Sequence, residues 1–91
     1  MYYTYILLSE KDKGLYVGCT NNLENRIKLH NLGKVHSTKF KSPFKLIYYE
    51  ACLNKTDAFR RERYLKSGYG RRFINNRLKE YNLERKVIEN Y

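Results

Sequence analysis

The sequence predicts an α/β fold of the α+β type, in which helices flank a small three-stranded antiparallel sheet. Residues 2–9 and 15–20 alternate as strands do and are separated by a short charged turn. A third run, residues 45–52, is apolar on both alternating faces, which is typical of a strand covered on both sides. The segments after the second and third strands begin with capping residues and carry apolar residues at helical spacing. The order strand, strand, helix, strand, helix, helix predicts one small sheet with helices packed against it.

The first two strands predict a β-hairpin with a charged turn at residues 10–14. The register of the hairpin decides whether Tyr5 and Tyr16 lie on the same face of the sheet. If the numbers of paired residues sum to an odd number, Tyr5 lies opposite Tyr16 or Gly18, and both tyrosine side chains project from the same face. An even sum would separate the two tyrosines. A tyrosine in such a strand is most often a core residue, so each hydroxyl has a structural interpretation as well as a chemical one.

The first helix carries two polar residues on the face that packs. Asn21 and Glu24 have the spacing of a capping box, which starts the helix at the following residue, and Gly33 marks its end. Arg26 and His30 lie one turn apart among apolar neighbours, because residues three and four apart share a face. An arginine and a histidine are therefore predicted within the buried stripe.

The loop from Lys34 to Ser42 is basic, lacks an apolar period and closes on Pro43, the only proline of the chain. An ordinary solvated connection is one interpretation. The other is a phosphate-binding segment, because the loop follows the helix that bears Arg26 and His30. The candidate contacts to a nucleic-acid backbone are Lys34, Lys39, Lys41 and, further along the chain, Lys66.

The second helix places a carboxylate on its packing face. Thr56 is positioned to cap this helix. Along it Ala58, Glu62 and Leu65 share one side. A buried anion needs a cation, a metal or dense hydrogen bonding. Two interpretations stay open: a salt bridge between Glu62 and Lys66 one turn later, or a metal-ligand role for Glu62.

The C-terminal part predicts a third helix and a tail. The run from Gly68 to Arg72 breaks the second helix and starts another, and its glycines indicate a turn because the lysine and hydroxyl of a phosphate-binding loop are missing. Beyond about residue 82, charged residues alternate with apolar ones in a helical pattern. We therefore expect one domain over residues 1–82, with residues 83–91 as a helical tail of the same domain.

The composition indicates a polyanionic partner. The chain has 91 residues, enough for one core, and 19 Lys and Arg against 9 Asp and Glu give a net charge of +10. Nucleic acid is the leading candidate, and a membrane surface is the alternative. No apolar run approaches the roughly 18 residues of a membrane span and no signal-peptide pattern opens the chain, so we expect a soluble, cytoplasmic protein. Cys19 and Cys52 lack zinc-ligand spacing and predict reduced thiols.

Five residues that lie far apart in the sequence form a pattern in a fixed order. Its members are Tyr5 in Tyr3-Thr4-Tyr5, Tyr16 in Tyr16-Val17-Gly18, Arg26 and His30 on the first helix, and Glu62 in Ala58-Phe59-Arg60-Arg61-Glu62. This arrangement, from about Tyr3 to Leu78, resembles the GIY-YIG nuclease family. Each tripeptide alone is weak evidence, whereas five positions in order are jointly specific. The first glycine of the family pattern is Tyr3 here, a position that we expect to serve backbone packing rather than chemistry.

The resemblance implies a compact domain with a three-stranded antiparallel sheet that hydrolyses phosphodiester bonds with a divalent metal. It implies that Glu62 holds one Mg²⁺ or Mn²⁺ and that Arg26 grips the scissile phosphate with its guanidinium fork. Tyr5 is the implied base or water-positioning residue, although a free tyrosine titrates near about pH 10. Tyr16 and His30 are placed to help, and which of the three takes the proton stays open.

The expected substrate is nucleic acid, DNA rather than RNA, in a setting such as repair or recombination. The protein is expected to act as a monomer or weak homodimer, alone or in a larger repair or mobile-element complex. The alternative is a non-catalytic DNA- or RNA-binding module that keeps a relic of the nuclease site. All five positions of the family pattern are filled, which favours the enzyme.

Overall fold

The structure is a computed structural model that describes the backbone of residues 1–89 and the side chains of residues 1–86. Within that range the elements are β1 (Tyr2–Ser9), β2 (Leu15–Thr20), α1 (Leu23–Asn31), a 3₁₀ turn (His36–Thr38), β3 (Phe44–Cys52), α2 (Lys55–Leu65), α3 (Gly68–Arg77) and α4 (Lys79–Glu89). The strands form one antiparallel sheet in the order β2-β1-β3. The predicted α+β fold with a three-stranded antiparallel sheet is confirmed. None of the helices within residues 1–89 is both long and apolar enough to cross a lipid bilayer.

The hairpin of β1 and β2 has the odd register. Tyr5 lies opposite Gly18, and Tyr16 lies opposite Leu7. Because side chains alternate along a strand, Tyr5 and Tyr16 project from the same face of the sheet. An even register would have placed them on opposite faces. The hairpin therefore brings two of the candidate site residues to one side.

β1 is the middle strand, and it is buried on both faces of the sheet. On one face Tyr5 packs with Phe44 and with apolar residues of α1. On the other face Ile6 packs with Leu65 of α2 and Ile74 of α3. The sheet is therefore the central layer of the molecule, with α1 on one side and α2 and α3 on the other.

β3 lies at the edge of the sheet. The expectation that both of its faces are covered is wrong, because Tyr49 is 51% exposed and Ala51, on the same face, is also exposed. The strand buried on both faces is β1. The ring of Tyr3 packs edge to face on Tyr49 at 5.9 Å between centroids. Tyr3, at the position of the first glycine of the family pattern, is a packing residue of this exposed edge.

α1 begins one residue later than the capping box predicts. The N-cap is Asn22, whose side-chain oxygen accepts a hydrogen bond from the backbone N–H of Asn25 at 3.1 Å. The prediction of Asn21 as the cap is wrong because the hydroxyl of Thr20 accepts from the N–H of Asn22 at 3.1 Å. That local turn extends the connection by one residue before the helix can start.

α2 begins two residues earlier than predicted. Its N-cap is Asn54, whose side-chain oxygen accepts from the N–H groups of Thr56 and Asp57 at 2.9 and 3.1 Å. The prediction of Thr56 as the cap is wrong, because Asn is at least as good an N-cap as Thr and stands earlier in the chain. Thr56 lies inside the first turn instead.

α3 starts directly against the end of α2. Ser67 caps α3 by accepting from the N–H of Gly70 at 3.3 Å. A Cβ at Gly70 would collide with the backbone of Tyr64 and Leu65, so glycine allows the two helices to meet. The predicted break and restart at Gly68 is confirmed. The tail predicted from residue 83 falls within α4, which begins at Lys79, and residues 90 and 91 lie outside the described part of the chain.

Candidate active site

The centre of the site is a chain of three buried polar side chains. Tyr5 is 2% exposed, and its hydroxyl lies 2.8 Å from Nε2 of His30. The other ring nitrogen of His30, Nδ1, lies 2.7 Å from Oγ1 of Thr38. His30 and Thr38 are also buried. β1, α1 and the 3₁₀ turn thus each contribute one member.

Arg26 adds a donor to this chain of hydrogen bonds. Its Nε–H donates to the hydroxyl oxygen of Tyr5 at 3.4 Å, and arginine has no acceptor. The neutral ring of His30 has two tautomers. With the proton on Nδ1, Tyr5 donates to Nε2 and Nδ1–H donates to Thr38; with the proton on Nε2, both bonds run the other way, because each hydroxyl can donate or accept. The first tautomer is the one that lets Tyr5 pass its proton to His30.

The pKa shifts indicate that His30 is neutral and Tyr5 is protonated in either tautomer. Burial lowers the pKa of His30, and the charge of Arg26 lowers it further, so the ring is neutral at pH 7. Burial raises the pKa of Tyr5, although the hydrogen bond and charge of Arg26 act in the opposite direction. The ground state is therefore a protonated phenol beside a neutral imidazole.

Gly18 makes room for the Tyr5 ring. Gly18 is the residue opposite Tyr5 in the hairpin. A Cβ at Gly18 would collide with the phenol oxygen and ring of Tyr5. The glycine of Tyr16-Val17-Gly18 is thus required by space and not by backbone conformation.

Tyr16 has a different partner from Tyr5. Its hydroxyl donates to a carboxylate oxygen of Asp12 at 2.6 Å, and its ring packs edge to face on Phe44 at 5.6 Å between centroids. Asp12 also forms an ion pair with Lys41 at 3.4 Å. The hydrogen bond to Asp12 raises the pKa of Tyr16, and the same bond lowers the pKa of Asp12. Tyr16 keeps its proton and points its oxygen lone pairs away from the carboxylate.

Glu62 lies on the α2 face that looks toward the sheet. The side chain is 18% exposed, and one carboxylate oxygen lies 3.4 Å from Nζ of Lys66 one turn later. Glu62 also lines the same cleft as Tyr5 and Arg26. The predicted ion pair with Lys66 is therefore present, and it leaves the carboxylate accessible from the cleft.

α2 is fixed to the sheet by residues next to Glu62. The guanidinium of Arg61 donates two hydrogen bonds to Glu50 of β3, at 2.9 and 3.0 Å. The hydroxyl of Thr4 donates to the carbonyl of Ala58 at 3.1 Å. These two contacts fix the part of α2 that precedes Glu62 against the sheet.

One cleft of about 880 Å³ brings the five candidate residues together. Its lining includes Tyr5, Tyr16, Arg26, His30 and Glu62. Lys66 and Arg71 supply positive charge to the same lining. Of the lysines predicted to contact a nucleic-acid backbone, Lys66 lines the cleft, whereas Lys34, Lys39 and Lys41 lie on the adjoining loop outside the lining residues.

The comparison with known families agrees with this geometry. The model of the GIY-YIG catalytic domain matches residues 1–79. The chain belongs to the GIY-YIG family. The family has a nuclease-type fold, and its match spans the whole sheet and α1 to α3.

Relatives of this GIY-YIG domain carry the name UPF0213. One from Clostridium perfringens is 51% identical over 67 residues, which cover 72% of this chain and 71% of that protein. The UPF0213 protein YsiG of Lactococcus lactis is 38% identical over 89 residues, which cover 97% of this chain and 85% of that protein. The solution NMR structure of a UPF0213 protein from Bacillus halodurans is 32% identical, with a TM-score of 0.52 and coverage of 84% of each chain.

GIY-YIG nucleases generally use a divalent metal ion. Among the described residues of this GIY-YIG domain, no three His, Cys, Asp or Glu side chains are grouped as ligands. A single carboxylate still suits Mg²⁺ or Mn²⁺, because such ions keep several waters and take substrate phosphate oxygens as further ligands. The half-buried carboxylate of Glu62, open to the cleft, fits that requirement.

Two residues that bond to side chains of the GIY-YIG cleft were not predicted from the sequence as part of the site. Thr38 lies in a loop without periodicity, and nothing in its neighbours signals that it bonds to His30. Asp12 lies between two lysines in a charged turn, which is the usual pattern of a solvated segment. For Asp12 a signal existed: Tyr16 stands four residues later, close enough across a tight hairpin turn for a hydrogen bond.

Proposed function

We propose that this GIY-YIG protein is an endonuclease that hydrolyses phosphodiester bonds of nucleic acid, DNA in preference to RNA, with Mg²⁺ or Mn²⁺. The observation that carries the proposal is the hydrogen bond between the Tyr5 hydroxyl and Nε2 of His30 at 2.8 Å, in a cleft also lined by Arg26 and Glu62. A buried phenol bonded to a neutral imidazole can pass a proton. An arginine and a carboxylate beside it suit the binding of a phosphate and its metal ion.

Tyr5 and His30 act together as the base in this mechanism. A separate phenolate is unfavourable, because burial raises the pKa of Tyr5. A relay avoids the phenolate: the proton of the attacking water moves to the Tyr5 oxygen while the Tyr5 proton moves to Nε2 of His30. As the hydroxide oxygen forms its bond to phosphorus, the P–O bond to the leaving nucleotide breaks, and the leaving oxygen takes a proton from solvent water. His30 is left as an imidazolium whose Nδ1–H remains on Thr38, and it returns its extra proton to solvent before the next cycle.

Arg26 and Tyr16 position the reactants. The Nε–H of Arg26 stabilises negative charge on the Tyr5 oxygen, and its remaining N–H groups are available for the scissile phosphate. Tyr16 donates its proton to Asp12, so its oxygen lone pairs are left to accept a hydrogen bond from the attacking water. In this assignment Tyr16 orients the water, Tyr5 accepts the water proton and His30 holds the relayed proton.

Glu62 is the residue that would hold the metal ion. When bound, a divalent cation there supplies positive charge to the nonbridging and leaving oxygens of the phosphate. Lys66 lies on the same lining and is available to contact a neighbouring phosphate when Glu62 binds a metal. Lys34, Lys39 and Lys41 extend the positive surface along the loop, as expected for contacts to the backbone rather than to bases.

The setting of the enzyme is part of the proposal. The net charge of +10 favours a nucleic-acid substrate. We place the protein in the cytoplasm, as a monomer or weak homodimer, acting in repair or recombination or within a complex of that kind.

A second candidate function is a nucleic-acid-binding module with a relic site. The observation that favours it is the ion pair of Glu62 with Lys66 at 3.4 Å, which satisfies the carboxylate without a metal. One substitution gives different results under the two proposed functions. Glu62→Gln keeps the shape of the side chain but removes the charge that a hard cation requires.

The test is cleavage of a panel of labelled linear, flapped, branched and single-stranded DNA, with RNA, in Mg²⁺ or Mn²⁺ and in EDTA. We expect metal-dependent cleavage that Glu62→Gln abolishes, with binding in EDTA unchanged or slightly tighter. The matched control is Glu24→Gln, because Glu24 pairs with Lys28 at 3.8 Å at the same helical spacing and lies outside the cleft lining. A Glu62→Gln protein that cuts at the wild-type rate would leave only the binding module.

A further inference from the structure

The loop beside the cleft exposes a phenylalanine among lysines. Phe40 is 71% exposed and stands between Lys39 and Lys41. The Nζ atom of Lys39 lies 4.9 Å from the centroid of the Phe40 ring. Phenylalanine has no polar atom that benefits from contact with water, so the exposed ring has apolar area available for a ligand.

Phe40 is tied to the catalytic relay by a short stretch of chain. Thr38, two residues earlier, is buried and bonded to His30. Two residues of extended chain span at most about 7 Å. The buried Thr38 therefore holds the backbone of Phe40 close to the last member of the hydrogen-bond chain.

A second exposed phenylalanine lies in the cleft itself. Phe59 is 41% exposed, lines the cleft and stands one helical turn before Glu62. The Nζ atom of Lys55 lies 5.8 Å from the centroid of its ring. Phe59 thus repeats the combination seen at Phe40, an open aromatic face with an ammonium group beside it.

We propose that Phe40 and Phe59 are stacking platforms for unpaired nucleobases on either side of the phosphate that is cut. This inference rests on the proposed function and adds the part of the substrate that binds next to the reacting phosphate. Base stacking on aromatic rings is tolerant of sequence, because every base has a flat π face, while the adjacent lysines meet the phosphates. The ligand is therefore a nucleotide whose base is free of its pairing partner.

A fully paired duplex has no free base to stack on Phe40 or Phe59. Its base faces are already stacked on one another, so a base must leave the stack before it can cover a protein ring, at a cost of a few kcal/mol. Strand ends, flaps, bulges and single strands offer such bases without that cost. DNA and RNA share this chemistry, and the test distinguishes them.

The chain contains no tryptophan, which allows a direct measurement of stacking. Three full-length variants each carry one tryptophan: Phe40→Trp, Phe59→Trp and the control Tyr49→Trp. Tyr49 is 51% exposed and lies in a groove that shares no lining residue with the cleft. Each variant is titrated in EDTA with mixed-sequence single-stranded DNA, single-stranded RNA and a blunt hairpin duplex, and tryptophan emission and anisotropy are followed.

We expect saturable quenching of emission, by about half or more, in Phe40→Trp and Phe59→Trp with the single strands. Weaker quenching with the duplex and none in Tyr49→Trp are also expected. Binding by anisotropy without quenching at positions 40 and 59, equal quenching at all three positions, or no binding at all would overturn the proposal. The response to RNA relative to DNA then identifies the preferred strand.

Affinity gives a second, independent readout with conservative variants. Phe40→Leu and Phe59→Leu keep an apolar side chain but lose the π face, so each weakens single-strand binding by at least about fivefold. Phe40→Tyr, which keeps an aromatic face, binds single strands like the wild type. Tyr49→Leu also leaves this affinity at the wild-type value. If the protein cuts with metal but shows neither the quenching nor the loss of affinity, the nuclease function stands and the stacking platforms are rejected. If it shows both effects but never cuts, the platforms stand and the nuclease function is rejected.

Discussion

The hydroxyl of Tyr5 and Nε2 of His30 lie 2.8 Å apart although the two residues are 25 positions apart in the chain. Tyr5 belongs to the central strand and His30 to the last full turn of α1. Both side chains are buried, so water does not compete for this bond. The contact joins the sheet to α1 within the lining of the cleft.

Removing only the hydroxyl of Tyr5 tests the relay. Tyr5→Phe keeps the ring and its packing on His30, whose centroid lies 5.7 Å away. The proton path from water to His30 is lost, so we expect cleavage to fall by about 10² to 10⁴-fold, the usual contribution of a positioned acid or base. Binding in EDTA should stay within about twofold of wild type, since the proposed partner of the lost hydroxyl is the attacking water and not the phosphate backbone.

The control for this change is Tyr48→Phe. Tyr48 also loses a hydroxyl that donates a hydrogen bond, in this case to Glu50 at 3.0 Å on the far face of the sheet. Cleavage by Tyr48→Phe should match the wild type. Full activity in Tyr5→Phe, measured under single-turnover conditions, would remove Tyr5 from the mechanism.

The relay predicts how the rate depends on pH. His30 must be neutral to accept a proton, and its pKa is lowered from the ordinary value of 6.5 by burial and by Arg26. The neutral form therefore dominates above pH 6.5 and is lost as the pH falls through the lowered pKa. We expect a rate that is flat above neutrality and drops on the acid side, approaching about tenfold per pH unit.

Two variants identify the group that titrates. His36→Gln, on the exposed side of the same 3₁₀ turn, should keep the acid limb, whereas His30→Gln should abolish it together with most activity. A rate that instead climbs steadily through the tyrosine range would mean that a free phenolate of Tyr5 is the base and that His30 receives no proton.

Gly18 should be sensitive to the smallest possible enlargement. In Gly18→Ala the new methyl group meets the phenol of Tyr5, which is fully packed and cannot retreat. We expect the free energy of unfolding to fall by about 1 to 3 kcal/mol, the usual cost of overpacking. Cleavage should fall further than stability explains, because the displaced ring leaves His30.

Gly68→Ala is the matched control, since a Cβ at Gly68 has no atom within 4 Å. It should leave both stability and cleavage near wild type when unfolding is followed by circular dichroism. Equal behaviour of the two alanine variants would show that the hairpin accommodates a methyl group beside Tyr5.

Arg26→Lys separates charge from geometry. The ammonium keeps the positive charge, but the planar fork that contacts Tyr5 and, in the proposed mechanism, the scissile phosphate is gone. We expect cleavage to fall by about 10²-fold, as for loss of one transition-state donor, while binding in EDTA changes by less than about threefold. Equal losses in rate and affinity would place Arg26 outside the reacting centre.

Counting and periodicity predicted the parts of the fold that depend on local pattern. Alternation along the strands predicted that an odd register would place Tyr5 and Tyr16 on one face, although it left the register itself open. The turn spacing of Arg26 and His30 follows from the helix. The family pattern chose these residues among ten tyrosines and two histidines. All five candidate residues meet in one cleft.

The parts that depend on competition between neighbours were not predictable in this way. Asn22 replaced Asn21 as a cap because Thr20 took up one N–H of the turn, an outcome decided by a contact of a few tenths of a kcal/mol to about 1 kcal/mol. Thr38 reaches His30 only because the 3₁₀ turn folds back over α1. The sequence of a loop without periodicity carries no signal of such a return.

The position of β1 in the middle of the sheet has a consequence for how the protein loses activity. Alternate residues of this one strand serve two purposes, with Tyr5 turned toward α1 and Ile6 toward the α2 and α3 layer. Local unfolding of β1 that disturbs Tyr5 also exposes Ile6 to solvent. The hydrogen bond between Tyr5 and His30 therefore cannot be lost by unfolding of a small part of the domain. The backbone amides of β1 should exchange with solvent deuterium only when the entire domain unfolds, and inactivation by heat should coincide with cooperative unfolding rather than precede it.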